Sequence, residues 1–190
     1  MSDYLDSALL KRVEREDCPA EYLADYDEVM RTRNMTEMPN VFALLANSPA
    51  AMSVVCPVGA HVRYGTDFND VLRELVIMTV AQELRCAYEW AHHWVVAVRV
   101  GADEALLKKI GTPAIEAEPG EIGLTTKYAR MLTRNEEITD DMVDALKETF
   151  GIAGFVDLTV MIGYYGLLAR FINTVRIPVE PDLDYPPFNV

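Results

Sequence analysis

Apolar residues recur along this chain at helical spacing, most densely from Leu72 to Gly101. There Leu72, Leu75, Val76 and Thr79 share one stripe with Val80 beside them. The polar, cap-rich residues Thr66 to Asp70 predict the start of that helix. No glycine or proline interrupts it near Leu84, so the pattern allows one helix to Val100, about 45 Å long at 1.5 Å per residue. That is long for a domain of this size, and a break near Arg85-Cys86, giving two antiparallel helices, suits it better. Upstream, Tyr22, Leu23, Tyr26, Val29 and Met30 place a helix over Pro19 to Arg33. Pro39 fits the first turn of the next, and Ser48-Pro49 opens a third that Pro57 is expected to kink or end. After Gly101, suited to a left-handed helix end, Asp103 caps a short helix to Ile110. Residues 111–120 read as a loop, Glu121 to Thr133 and Thr139 to Phe150 as amphipathic helices. Gly151 and Gly154 break the chain before a buried helix over Phe155 to Val175. Residues 1–18 form an arm, and 178–190 a proline-rich extended tail expected to lie on a neighbouring subunit. No stretch alternates with period two, so the reading is all-α, a single domain over 1–190.

Composition narrows the partners. A net charge of −13 with no lysine/arginine run argues against nucleic acid and anionic membranes. The apolar run Thr159 to Ile172 is shorter than the ~20 residues of a membrane span and contains Arg170. The expectation is a soluble, cytoplasmic protein. Cys18 and Cys56 are each followed by proline and lie far along the chain from Cys86, so no disulfide and no zinc pattern is expected.

The apolar stretch holds a polar cluster, Cys86-Ala-Tyr-Glu-Trp-Ala-His-His93. Glu89 and His93, four apart, share a helix face and form either a proton-transfer pair or a buried ion pair that orders the core. Glu89 and His92 match one Glu-x-x-His element of di-iron bundles, but no second copy exists, so no metal is expected. Cys86, with polar neighbours, is either a reactive thiolate at a helix N-terminus or a small buried hydrophobe. His61 and Arg63 precede a turn, and Arg63 suits an anionic ligand. The final helix adds Tyr164, Tyr165, Arg170 and Asn173; an arginine in an apolar helix calls for a carboxylate or a substrate. With Tyr88, these residues are the substrate-binding candidates.

LRELVIMTVAQELRCAYEWAHH resembles the carboxymuconolactone decarboxylase and alkylhydroperoxidase-D-like family, whose pattern is Glu, then Cys-x-x-Cys, then His four residues on. Glu74 stands at the glutamate, Cys86 at the first cysteine and His93 at the histidine, while Glu89 replaces the second cysteine. The YEW-x-x-H form resembles a branch lacking the redox pair, and IGYYGLLARFINTVRIPVE resembles its closing helix. The resemblance implies an all-α bundle built around a helical hairpin and assembled as dimers, trimers or hexamers. Peroxidase members use both cysteines, so their chemistry does not carry over. The implied function is cofactor-independent acid/base chemistry (decarboxylase, lyase or isomerase) on a small carboxylated ring or enol, as in aromatic catabolism. Glu74, Cys86, Glu89 and His93 are the catalytic candidates. A thiol-dependent peroxidase using Cys86 and a non-catalytic binding or assembly subunit stand as alternatives.

Overall fold

The computed structural model describes residues 3–188, and every regular element among them is helical. After short 3-10 turns come α1 (Leu23–Thr32), α2 (Asn40–Leu45), α3 (Pro49–Tyr64), α4 (Asp70–Glu83) and α5 (Ala87–Arg99). The chain continues with α6 (Glu104–Leu107), α7 (Pro113–Glu116), α8 (Glu121–Thr133) and α9 (Asp140–Val175).

Helix α4 is the centre of the bundle, buried continuously from Leu72 to Ala81 and packed against α5, α8 and α9. Asn69 starts it, its side-chain oxygen accepting from the amides of Val71 and Leu72. One face, with Val76, Ile77 and Val80, joins the main core; another, with Leu75, Met78 and Ala81, joins Trp90, Trp94, Leu107 and Ile110. Each such aliphatic side chain, once fully buried, contributes roughly 1.5–3 kcal/mol.

The hairpin break falls at Arg85, whose φ of +50° turns the chain while the Cys86 amide reaches back to Ala81 O at 2.9 Å. Two other breaks depart from expectation. Helix α3 continues past Pro57 rather than ending there. The proline sits on the exposed face, where water can satisfy the carbonyl that its missing N–H leaves free. Residues 111–120 hold a helical turn, α7, because Pro113 occupies its first position and Thr112 Oγ1 accepts from the Ala114 amide. In α9 the left-handed Gly151 (φ +71°) interrupts the helix as expected, whereas Gly154 stays helical.

The tail lies on its own chain. Trp90 Nε1 donates to Pro186 O at 2.7 Å and its ring meets Phe188. Glu180 accepts from Asn40 Nδ2 at 2.8 Å and pairs with His92 at 2.7 Å. The tail packs on α5 because Trp90 offers an apolar face and an indole N–H that needs an acceptor.

Candidate active site

The hairpin places one carboxylate on each side of one imidazole. Glu74, midway along α4, and Glu89 and His93, one turn apart on α5, are all buried, at 2%, 5% and 7% exposure. His93 Nδ1 lies 2.5 Å from Glu74 Oε2, and its Nε2 lies 3.1 Å from Glu89 Oε2. Burial alone would drive such a histidine neutral, but Glu74 and then Glu89 more than offset it and raise His93 above its ordinary 6.5. Each ring nitrogen faces a carboxylate oxygen, an arrangement that favours the protonated ring.

Glu74 is held below its ordinary 4.5. Its burial would raise it, but His93, Arg63 and Arg73 outweigh that. Arg63, from the last turn of α3, reaches Glu74 Oε1 at 3.5 Å and donates to Tyr165 Oη at 3.2 Å. It also comes within 3.5 Å of His93 Nδ1, where the 2.5 Å carboxylate is the better partner. Formal charges of two carboxylates, one imidazolium and one guanidinium cancel, which is what a buried ionic cluster requires.

Beside this cluster is a cavity of about 130 Å³. Glu89, His93, Arg63 and Tyr165 line it, and Glu74 does not. Phe42, Val41 and Leu168 give it apolar wall, and Arg33, Tyr64, Tyr88, His92 and Tyr164 add to the polar part. The Tyr165 ring meets the His93 ring edge-on at 5.1 Å and the Tyr164 ring at 5.3 Å. Two wall hydroxyls, Tyr88 Oη and Tyr164 Oη, are buried with no hydrogen-bond partner among the described residues. The Val41 amide acts electrostatically on Tyr88 Oη without reaching hydrogen-bond geometry.

The candidates thus divide. Glu74, Glu89, His93, Arg63, Tyr88, Tyr164 and Tyr165 come together at the cavity or directly behind it. His61, Arg170 and Asn173 do not. His61 is exposed and pairs with Asp157 at 2.8 Å, joining α3 to α9. Arg170 is exposed and donates to Gly166 O, so its apolar surroundings in sequence do not reflect burial. Asn173 donates to Leu84 O at 2.9 Å and braces the hairpin turn. His92 turns away from Glu89 towards Glu180, so no Glu-x-x-His ligand pair forms. Cys86 is fully buried, is not among the cavity's lining residues, and its thiol is pushed up to about 12 by burial and by Glu89. All three cysteines are free and buried.

Arg33 was missed from sequence. It caps the end of α1, its guanidinium lies 4.4 Å over the Phe42 ring, and it lines the same cavity. Nothing in Thr32-Arg33-Asn34 distinguishes it from an ordinary surface helix end.

The model of the carboxymuconolactone decarboxylase family matches residues 49–116, from the start of α3 to the end of α7. That segment carries Arg63, Glu74, Cys86, Glu89 and His93, and the match bears out the resemblance drawn from them. No curated protein matches the sequence. Among solved structures, the fold is shared with an uncharacterized peroxidase-related protein from Silicibacter sp. TM1040, at TM-score 0.76 and 15% identity over 96% of this chain and 97% of that one. It is shared with the debrominase Bmp8 without ligand, at TM-score 0.69 and 12% identity over 91% and 92% of the two chains. A variant of Bmp8 in complex with 2,3,4-tribromopyrrole aligns over the same shares at TM-score 0.70 and 13% identity. At these identities the likeness is one of fold.

Proposed function

We propose that this protein, a carboxymuconolactone decarboxylase-family fold by its match over residues 49–116, is an enzyme of acid/base chemistry on a small carboxylated ring or enol. The observation that carries the reading is the asymmetry of the carboxylates around His93. Glu89 faces the cavity, whereas Glu74 lies behind the imidazole and favours its positive charge. Glu89 is the group that accepts a proton from the bound molecule or returns one to it. His93, 3.1 Å away, balances the charge that changes on Glu89 as the proton moves. Glu74 and Arg63 hold His93 in place, and burial by Tyr165 keeps water from competing for the proton.

Proton removal at one carbon and return at another is an isomerisation. Loss of carbon dioxide followed by protonation of the resulting carbanion is a decarboxylation, with the proton resupplied by solvent. Both use the same pair. The cavity, at about 130 Å³, is close in size to the roughly 150 Å³ cavities that take up benzene, which supports one small ring rather than a larger molecule. That the shared fold accommodates 2,3,4-tribromopyrrole in Bmp8 agrees with this size. A thiol-dependent peroxidase is disfavoured, because a buried thiol with a pKa of about 12 is protonated at neutral pH and thiols react as thiolates.

Screening carboxylated lactones and enols for product, with carbon dioxide release read separately, distinguishes decarboxylation from isomerisation. With a substrate found, Glu89→Gln should cost roughly 10²–10⁴ in kcat and His93→Gln a similar factor. The double variant should lose little more, because members of one relay are not additive. Full turnover in a folded Glu89→Gln protein would end the proposal.

A further inference from the structure

Arg63 is occupied by Glu74 and Tyr165, so the acid/base cluster supplies no spare cation for an anionic ligand. Arg33 is different. Its guanidinium donates to Thr32 Oγ1 at 3.0 Å and to the backbone carbonyls of Val29 and Cys56, at 3.5 and 3.3 Å. It has no carboxylate partner among the described residues, in a protein whose net charge is −13. A guanidinium carries five N–H donors, and these three contacts leave some unused. Next to it, Tyr164 Oη is buried and unpartnered, a costly arrangement unless a ligand supplies the missing hydrogen bond. The two groups meet over Gly59. A Cβ there would lie 2.1 Å from Tyr164 Oη and 2.9 Å from Arg33 Nη2, so the absence of a side chain lets them come together. The Phe42 ring, 4.4 Å from the guanidinium carbon, helps to hold the cation at the cavity wall.

We propose that Arg33 and Tyr164, brought together over Gly59, form the subsite for the substrate's carboxylate, with Glu89 and His93 acting on a different atom of the same molecule. The inference rests on the acid/base reading above and gives it a substrate class: monocyclic monocarboxylates. Arg33 forms charge-assisted hydrogen bonds to the carboxylate, and Tyr164 Oη donates a further one. Arg33, Tyr164, Glu89 and His93 all line the one cavity, so the ring of the bound molecule spans from one polar set to the other.

The test is binding, which needs no turnover. Benzoate and its neutral isostere benzamide are titrated by calorimetry into the wild type and into Arg33→Gln, Tyr164→Phe and Glu89→Gln, each checked for folding by circular dichroism. Benzoate should bind the wild type better than benzamide and weaken roughly 10- to 100-fold in Arg33→Gln. Tyr164→Phe, which keeps the ring, should cost a smaller factor, and benzamide should be indifferent to Arg33→Gln. In Glu89→Gln the Arg33-dependent preference for benzoate should persist. Absent benzoate binding, or binding unchanged by Arg33→Gln, overturns the subsite while leaving the Glu89 turnover test standing. Conversely, full turnover in Glu89→Gln together with Arg33-dependent binding refutes only the acid/base reading.

Discussion

The charge state of His93 is the most direct physical consequence of the hairpin, and Glu74→Gln is the change that probes it. The substitution keeps the shape and an acceptor at Nδ1 but removes the negative charge 2.5 Å from the ring. His93 retains Glu89 at 3.1 Å, so the imidazolium is weakened rather than abandoned, while Arg63 loses its 3.5 Å carboxylate. Exchanging a charge-assisted for a neutral hydrogen bond costs roughly 1–2 kcal/mol, and stranding Arg63 brings the total to about 3 kcal/mol. For a chain of this length that lowers the melting temperature by about 6–12 °C. The protein should still fold, since domains are stable by about 5–15 kcal/mol. The sign of the pH dependence follows from the directions of the shifts. His93 is raised in the folded state, so its stabilisation is complete below the ordinary 6.5 and is lost as pH rises through its folded value. Glu74 is lowered, so its stabilisation is present above the ordinary 4.5 and is lost as pH falls through its folded value. Stability from this pair should therefore be greatest between those limits and decline on both sides. Nitrogen-15 spectra of the imidazoles, assigned by His93→Gln, should show both His93 nitrogens protonated at pH 7 in the wild type. In Glu74→Gln the titration midpoint should move down and the alkaline decline of the melting temperature should shift with it. A neutral His93 at pH 7, or a midpoint unmoved by Glu74→Gln, would refute the electrostatic account.

Two further outcomes follow from the surface and the tail. Ile152, Val156, Val160 and Leu167 form an exposed apolar stripe on α9, near exposed Val54 and Val58 on the adjoining α3, and we expect homo-oligomers to form there. Val156→Asp should shift sedimentation to a smaller species with helicity unchanged, and a wild-type monomer at micromolar concentration would rule this interface out. Removing Tyr185 to Val190 takes away the acceptor of Trp90 Nε1 and its contact with Phe188. It should cost about 1–3 kcal/mol in stability without changing assembly; an unchanged melting temperature in sedimentation-matched samples would contradict the packing described for the tail.

How much of this could be read from the chain depends on whether the deciding interaction is local. Helix α8 and the i, i+4 pair Glu89–His93 follow from spacing within one turn, and both emerged where the periodicity placed them. The hairpin break was set by size and family resemblance rather than by propensity. Arg85 adopts φ +50° without being glycine, and it is held by tertiary contacts such as Asn173 to Leu84 O, 89 residues apart. Pro57 misled because a proline's cost depends on whether the freed carbonyl faces water, which is a property of the fold. Arg170 and Arg33 make the same point in opposite directions. Arg170 has apolar neighbours in sequence and looks out, whereas Arg33 sits at an ordinary helix end and looks in. What distinguishes Arg33 is Phe42, Gly59 and Tyr164, supplied by three separate helices. No window of sequence contains that information, because the aromatic wall, the unpartnered hydroxyl beside it and the lack of a carboxylate partner among the described residues are properties of the fold.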